Sequence, residues 1–141
     1  MTVTLRISLA AKFDRRSEMQ AVSRWLRSLG YVVTSRWPDA TKDDSSLTDA
    51  EATEAAMMDE ADVKDSDVLV AFAEKRGAPG ADRGGRHAEL GGAIFLGKPV
   101  ILVGSPEHVF HRHPLVTVVA CKTDMARKLR EMTEFRQLLR Q

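Results

Sequence analysis

Val68-Leu69-Val70-Ala71-Phe72 contains no polar position, and it constrains the fold more than any other stretch of the chain. A strand with one face in water alternates apolar and polar side chains, whereas an unbroken apolar run suits a strand covered on both faces. Such strands occur in parallel sheets whose crossover helices lie above and below. The rest of the chain should therefore alternate strand and helix signals, and it does.

Residues 3–10 read as the first strand, ending in Ser8-Leu9-Ala10, and residues 11–16 as the loop leaving it. Ser17 with Gln20 fits a capping box; Met19, Val22, Leu26 and Leu29 recur at helical spacing, and Gly30 closes that helix. Residues 31–36 form a β-branched second strand. From Trp37 to Leu47 the composition shifts to Pro, Asp, Lys and Ser, which predicts an exposed, mobile loop beside the site-bearing edge of the sheet. Thr48 and Glu51 form a second capping box, opening a helix to about Val63 in which Met57 and Met58 read as core filler.

After the central strand, a polar loop punctuated by Gly and Pro runs into Gly84-Gly85 and a helix ending at Gly97. Lys98-Pro99 launches a strand over residues 100–103, and a further strand is expected over residues 116–119. The last helix, about residues 124–139, carries Met125, Leu129, Met132 and Leu139 on one stripe and a basic, solvated face elsewhere. The expected architecture is a single doubly wound α/β domain, flavodoxin- or Rossmann-like, on a central, mainly parallel five-stranded sheet. A length of 141 residues with 43% hydrophobic content suits one such domain.

Other function classes receive no support. A formal net charge of +1 gives no reason to expect polymeric nucleic acid or an anionic membrane as partner, and no stretch is apolar enough to span a bilayer. Residues 1–8 lack a signal-peptide layout, so a reducing, cytoplasmic setting is the default. The lone Cys121 cannot form an internal disulfide and reads as a small buried residue. There is no P-loop, and Gly77-Ala78-Pro79-Gly80 is no dinucleotide fingerprint, so no cofactor is expected. His108, His111 and His113 flank prolines in a loop without a supporting cysteine pair, and no metal site is assigned to them.

In doubly wound sheets ligands bind beyond the carboxyl ends of the strands. That rule gathers residues 12–16, those from Trp37 onward, residues 74–89 and residues 104–113 around one cleft. Within it, Gly84 and Gly85 allow close approach of a ligand, and Glu89 is expected in the first helical turn, where free N–H groups and the helix dipole favour its ionised form. Such a carboxylate is either a nucleophile or an ordinary helix-stabilising choice.

Asp67-Val68-Leu69-Val70-Ala71-Phe72, a glycine-containing loop, His87-Ala88-Glu89-Leu90-Gly91-Gly92-Ala93 and Gly97-Lys98-Pro99-Val100-Ile101-Leu102-Val103 together resemble the nucleoside 2-deoxyribosyltransferase family and its nucleotide N-glycosidase relatives. Ser8-Leu9-Ala10 is similar to that family's first-strand motif. The resemblance implies Glu89 as the nucleophile of a retaining double displacement at the anomeric carbon of a deoxyribose, with transfer of the sugar to another base or to water. It implies Asp67 as the group handling the base or its proton, its pKa raised by proximity to Glu89; the alternative is a strand-start aspartate bonded to backbone N–H groups.

The resemblance also implies substrate contacts from Ser8, Ala10, Gly84 and Gly85. The transferases carry an acid shortly before the nucleophile, and Asp82 is the loose match in Asp82-Arg83-Gly84-Gly85-Arg86. The hydrolysing relatives grip a phosphate with the first loop, where Lys12, Arg15 and Arg16 either bind an anion or are solvated. Arg86 and His87 either contact substrate or cap the helix. Residues 109–114, with His111, occupy the place of the segment that completes a neighbouring subunit's pocket, which implies a homodimer or higher homo-oligomer with shared sites. The implied partner is a small-molecule nucleoside or nucleotide.

Overall fold

The computed structural model describes residues 3–42, 44–75 and 84–141. Its strands are β1 (Arg6–Ala10), β2 (Val32–Val33), β3 (Val68–Phe72), β4 (Val100–Val103) and β5 (Val116–Val119). The α-helices are α1 (Arg16–Ser28), α2 (Asp49–Lys64), α3 (Gly85–Phe95) and α4 (Lys122–Leu139). The strands form one five-stranded sheet in the order β2-β1-β3-β4-β5. Every neighbouring pair is parallel. Strand order therefore reverses between β1 and β3, which is the switch point where such sheets bind ligands.

The pleat sorts the side chains into two cores. Ile7 and Leu9 of β1, Val68, Val70 and Phe72 of β3 and Ile101 of β4 pack with Met19, Val22 and Leu26 of α1 and Met125 and Leu129 of α4. The intervening residues Ala10, Leu69, Ala71, Val100 and Leu102 face the other way, onto Val63 of α2 and Leu90, Ala93 and Ile94 of α3. This is why β3 shows no polar alternation: both of its faces are core, and all five residues are buried. Among the described residues no helix is long and apolar enough to cross a membrane.

Several local expectations need correction. β1 starts at Arg6, although Val3 and Leu5 before it are buried. β2 is only Val32–Val33, because side chains take over the pairing that would have extended it. The Ser35 hydroxyl accepts from Leu9 N at 2.7 Å, Trp37 Nε1 donates to Leu9 O at 2.8 Å, and Thr34 Oγ1 donates to Asp62 O at 2.7 Å. The loop that follows is anchored at its start: Trp37–Asp39 forms a short 3-10 turn with Pro38 buried.

The Ser17/Gln20 capping box does not form. α1 begins at Arg16, after a 3-10 turn over Phe13–Arg15, and Gln20 instead donates to Pro38 O at 2.7 Å. The Thr48/Glu51 box does form, in both directions. Met57 is 65% exposed, and Met58 lines a cleft, so neither is core filler. Cys121 is exposed at the start of α4, and Leu139 is exposed at its end. Gly104, just after β4, has φ +119°, and a Cβ there would lie 2.9 Å from Ala73 Cβ. Only glycine lets these two strand ends run side by side.

Candidate active site at the sheet's switch point

A cleft of about 510 Å³ opens beyond the carboxyl ends of β1 and β2. Its walls come from three places. Ala11, Lys12 and Phe13 follow β1; Arg36, Trp37 and residues 39–42 follow β2; Met58, Asp59, Gly85, Arg86 and Glu89 come from α2 and α3. Phe13 and Trp37 form an aromatic corner, their ring centroids 6.2 Å apart. The Trp37 bond to Leu9 O fixes that corner to the sheet.

Glu89 is the fifth residue of α3, in the second turn instead of the expected first, and the first turn holds no acid. Its carboxyl group therefore lies beyond the free N–H groups of the helix start. The expected ionised form is reversed: burial, then the charges of Asp59 and Asp62, push its pKa well above the usual carboxylate range. In the ligand-free cleft these surroundings favour the protonated form of Glu89 more than water does. Asp62 is buried and paired with Arg36, which donates from Nε at 2.8 Å and from its backbone N at 2.9 Å. Asp59 lines the cleft itself.

Arg86 is buried in the first turn of α3, where a cation opposes the helix dipole. Glu107 offsets it, accepting from Nη1 at 2.6 Å and Nη2 at 2.7 Å. Burial alone would raise the Glu107 carboxyl, but Arg86 and the N–H of Glu74 outweigh it, and its pKa ends below the ordinary value.

The structure brings Lys12, Gly85, Arg86 and Glu89 into one cleft and places the other described sequence candidates elsewhere. Asp67 precedes β3 at the amino end of the parallel sheet, opposite the cleft. There its carboxylate accepts from Arg6 N at 2.9 Å and pairs with Arg136 at 3.0 Å, so it is the strand-start aspartate and not a partner of Glu89. Ser8 is buried with its hydroxyl 3.0 Å from that of Ser66, and Ala10 is in the core beside α3. Arg15 is taken up by Glu18, Glu74 and Ala73 O, and lies over the Phe72 ring. Arg16 lies over the Phe13 ring, 4.8 Å from its centroid. Gly84 is the exposed residue preceding α3, outside the cleft lining. Asp82 lies outside the described residues.

His87 faces a second, shallower cavity with Ala88, Gly91, Gly92, Phe95, His108 and Phe110. His111 is buried nearby, its Nδ1 accepting from Glu107 N at 2.9 Å. Burial, followed by the neighbouring His108, lowers its pKa to about 4, which leaves it neutral at physiological pH. Neither histidine lines the Glu89 cleft. His113 stays apart, its Nδ1 accepting from Leu115 N.

Asp59 was not among the residues that the sequence singled out. The signal was present in the α2 spacing: Ala55, Asp59 and Asp62 fall at helical intervals beside buried Val63, which puts two acids on the inward stripe.

No protein-family model matches the chain, and no curated protein does. Solved structures do match. A 2-deoxyribosyltransferase from Bacillus psychrosaccharolyticus is 22% identical, with a TM-score of 0.68 over 85% of this chain and 89% of that one. A CMP N-glycosidase from Clostridium botulinum is 20% identical, with a TM-score of 0.54 over 90% and 98%. A conserved protein from Enterococcus faecalis V583 is 16% identical, with a TM-score of 0.62 over 92% and 99%. Over most of its length the chain has the doubly wound α/β fold of a 2-deoxyribosyltransferase and of a CMP N-glycosidase.

Proposed function

We propose that the chain is an enzyme that cleaves the N-glycosidic bond of 2′-deoxynucleosides or their 5′-monophosphates, with Glu89 as nucleophile, and transfers the deoxyribosyl group to another base. The observation that carries this reading is the meeting of Glu89 and Asp59 in an aromatic-walled cleft at the switch point. The sequence resemblance and the names of the structural neighbours point to the same bond.

The chemistry follows from the two carboxyl groups. Attack needs the carboxylate form of Glu89, so any proton it carries leaves first; Asp59 faces the same space and is the acceptor. Glu89 then bonds to C1′ as the electron pair of the C1′–N bond departs with the base, and Asp59 delivers the proton to that base. A carboxylate facing C1′ suits the oxocarbenium character of the transition state. An incoming base attacks C1′ from the vacated side, gives its proton to Asp59 and restores Glu89. Phe13 and Trp37 offer faces on which a base can stack.

A second reading, hydrolysis of a nucleoside 5′-monophosphate, is favoured by the cations in the same cleft. Lys12, Arg36 and Lys42 line it, held by Asp14, Asp62 and Glu51, and a phosphate would compete with those carboxylates. The homo-oligomer is also proposed here, supported by exposed Phe95 and Phe110 on one surface.

The deciding experiment incubates the protein with deoxynucleosides and deoxynucleotides, with and without a second free base, and separates the products chromatographically. Exchanged nucleoside only with acceptor present supports transfer. Free sugar or sugar phosphate supports hydrolysis, and binding without turnover of any substrate overturns the enzymatic reading.

A further inference from the structure

On the side of α3 away from Glu89, three imidazoles converge. His87 comes from the first turn of α3; His111 belongs to the 3-10 turn Val109–Arg112, and His108 immediately precedes that turn. His108 is in extended conformation, with φ −154° and ψ 176°, and the turn that follows it brings the His108 and His111 rings together. His87 Nδ1 and His108 Nε2 are 2.9 Å apart. The His108 and His111 rings lie 3.9 Å apart at 31°, and those of His87 and His111 5.9 Å apart. One ring nitrogen from each residue lies within 4.8 Å of the other two. Among the described residues this is the one such group of potential ligands. His108 Nδ1 is buried and has no hydrogen-bond partner, which leaves it free to carry the ring proton when Nε2 faces an ion.

We propose that His87, His108 and His111 form a binding site for one divalent transition-metal ion of the zinc class, held by three imidazole nitrogens, with a fourth position open to the cavity beside Gly91 and Gly92. Imidazole is the preferred ligand of such ions, and three protein ligands with one open position is a familiar zinc arrangement. Ligand nitrogens about 2.0–2.1 Å from a common tetrahedral ion lie roughly 3.3 Å apart, so the rings need to shift by about an ångström.

The protons balance without a strong base. The one proton between His87 Nδ1 and His108 Nε2 moves to the far nitrogen of its own ring, and both rings then face the ion as neutral donors. The ion competes with the Glu107 amide for His111, whose Nδ1 accepts that N–H in the metal-free protein. Glu107 is thus an outer partner of the site, and its carboxylate carries the connection on to Arg86 in the Glu89 cleft. An ion here would tie α3 to the segment joining β4 and β5.

The test uses the full chain stripped with a chelator. Zn2+ is titrated by calorimetry and Co2+ by visible absorption, on the wild type and on His87→Gln, His108→Ala and His113→Ala. The expected result is one ion per chain, an intense tetrahedral Co2+ spectrum and a thermal upshift with Zn2+ in the wild type and in His113→Ala. Loss of a direct ligand in either of the other variants should weaken binding by at least about a hundredfold. Absence of stoichiometric binding to the wild type, or binding undiminished in both ligand variants, overturns the proposal. Should those variants fail to fold, imidazole nitrogen NMR of the wild type decides: Zn2+ must shift the His87, His108 and His111 resonances and leave His113 in place, and any other pattern overturns the site.

Discussion

Arg86 and Glu107 face each other in a two-pronged ion pair, with contacts at 2.6 and 2.7 Å and side chains that are 5% and 14% exposed. Removing one member leaves the other charged and largely out of water, which typically costs about 3–5 kcal/mol. Glu107→Gln should therefore lower the unfolding free energy by about 3 kcal/mol, read by urea denaturation. It should also loosen the start of α3 and raise KM more than it lowers kcat. A change under about 0.5 kcal/mol would mean that the pair is structurally idle.

Glu89→Gln should abolish turnover while making the fold more stable at alkaline pH. The folded chain holds the Glu89 proton more tightly than the unfolded chain, whose value is near 4.5. Stability is therefore lost as pH rises above that value, and the loss levels off once the raised folded pKa is passed. The amide removes this dependence. Thermal unfolding of both proteins from pH 5 to 9 checks it; parallel curves would contradict the raised pKa.

The two aspartates at opposite ends of the structure separate cleanly by mutation. Asp59→Asn should cut kcat by about a hundredfold or more, as expected for loss of a general acid–base group. Asp67→Asn, which disturbs the contacts with Arg6 N and Arg136, should leave kcat within about twofold and cost on the order of 1 kcal/mol of stability. The reverse pattern would restore Asp67 to the chemistry.

Gly104→Ala should destabilise the fold by at least about 1–3 kcal/mol, because the new methyl group meets Ala73 Cβ at 2.9 Å and the backbone is held at φ +119°. Pairing it with Ala73→Gly should recover the steric part but not the backbone part. Equal stability of the single and double variants would assign the whole cost to the backbone.

Phe110→Asp should dissociate the proposed homo-oligomer without unfolding the chain, since Phe110 is 47% exposed and touches exposed Phe95 edge-on. Sedimentation velocity reads the mass. An unchanged mass would move the interface elsewhere.

Most of the fold was legible in the sequence because hydrophobic periodicity reports burial directly. The apolar β3, the amphipathic α1 and the Thr48/Glu51 cap all follow from local patterns. What was not legible depended on long-range partners. Ser35 and Trp37 end β2 by bonding to Leu9, 26 and 28 residues away in sequence, and no local rule foresees that. Asp67 misled because its position next to a strong strand carried the resemblance, while strand polarity puts it at the wrong end. Glu89 was singled out from its motif, but the direction of its pKa shift was not legible, because it depends on burial in the fold and on acids that lie on α2.

The Trp37 indole has a consequence for anyone wishing to retune this cleft. It lines the proposed substrate cleft and also supplies the hydrogen that Leu9 O would otherwise get from a longer β2. Replacing it changes ligand preference and sheet integrity at once, so library screens varying Trp37 would confuse poor folding with poor recognition. Met58 carries no comparable backbone duty through its side chain, and randomising that position offers the cleaner route to altered selectivity.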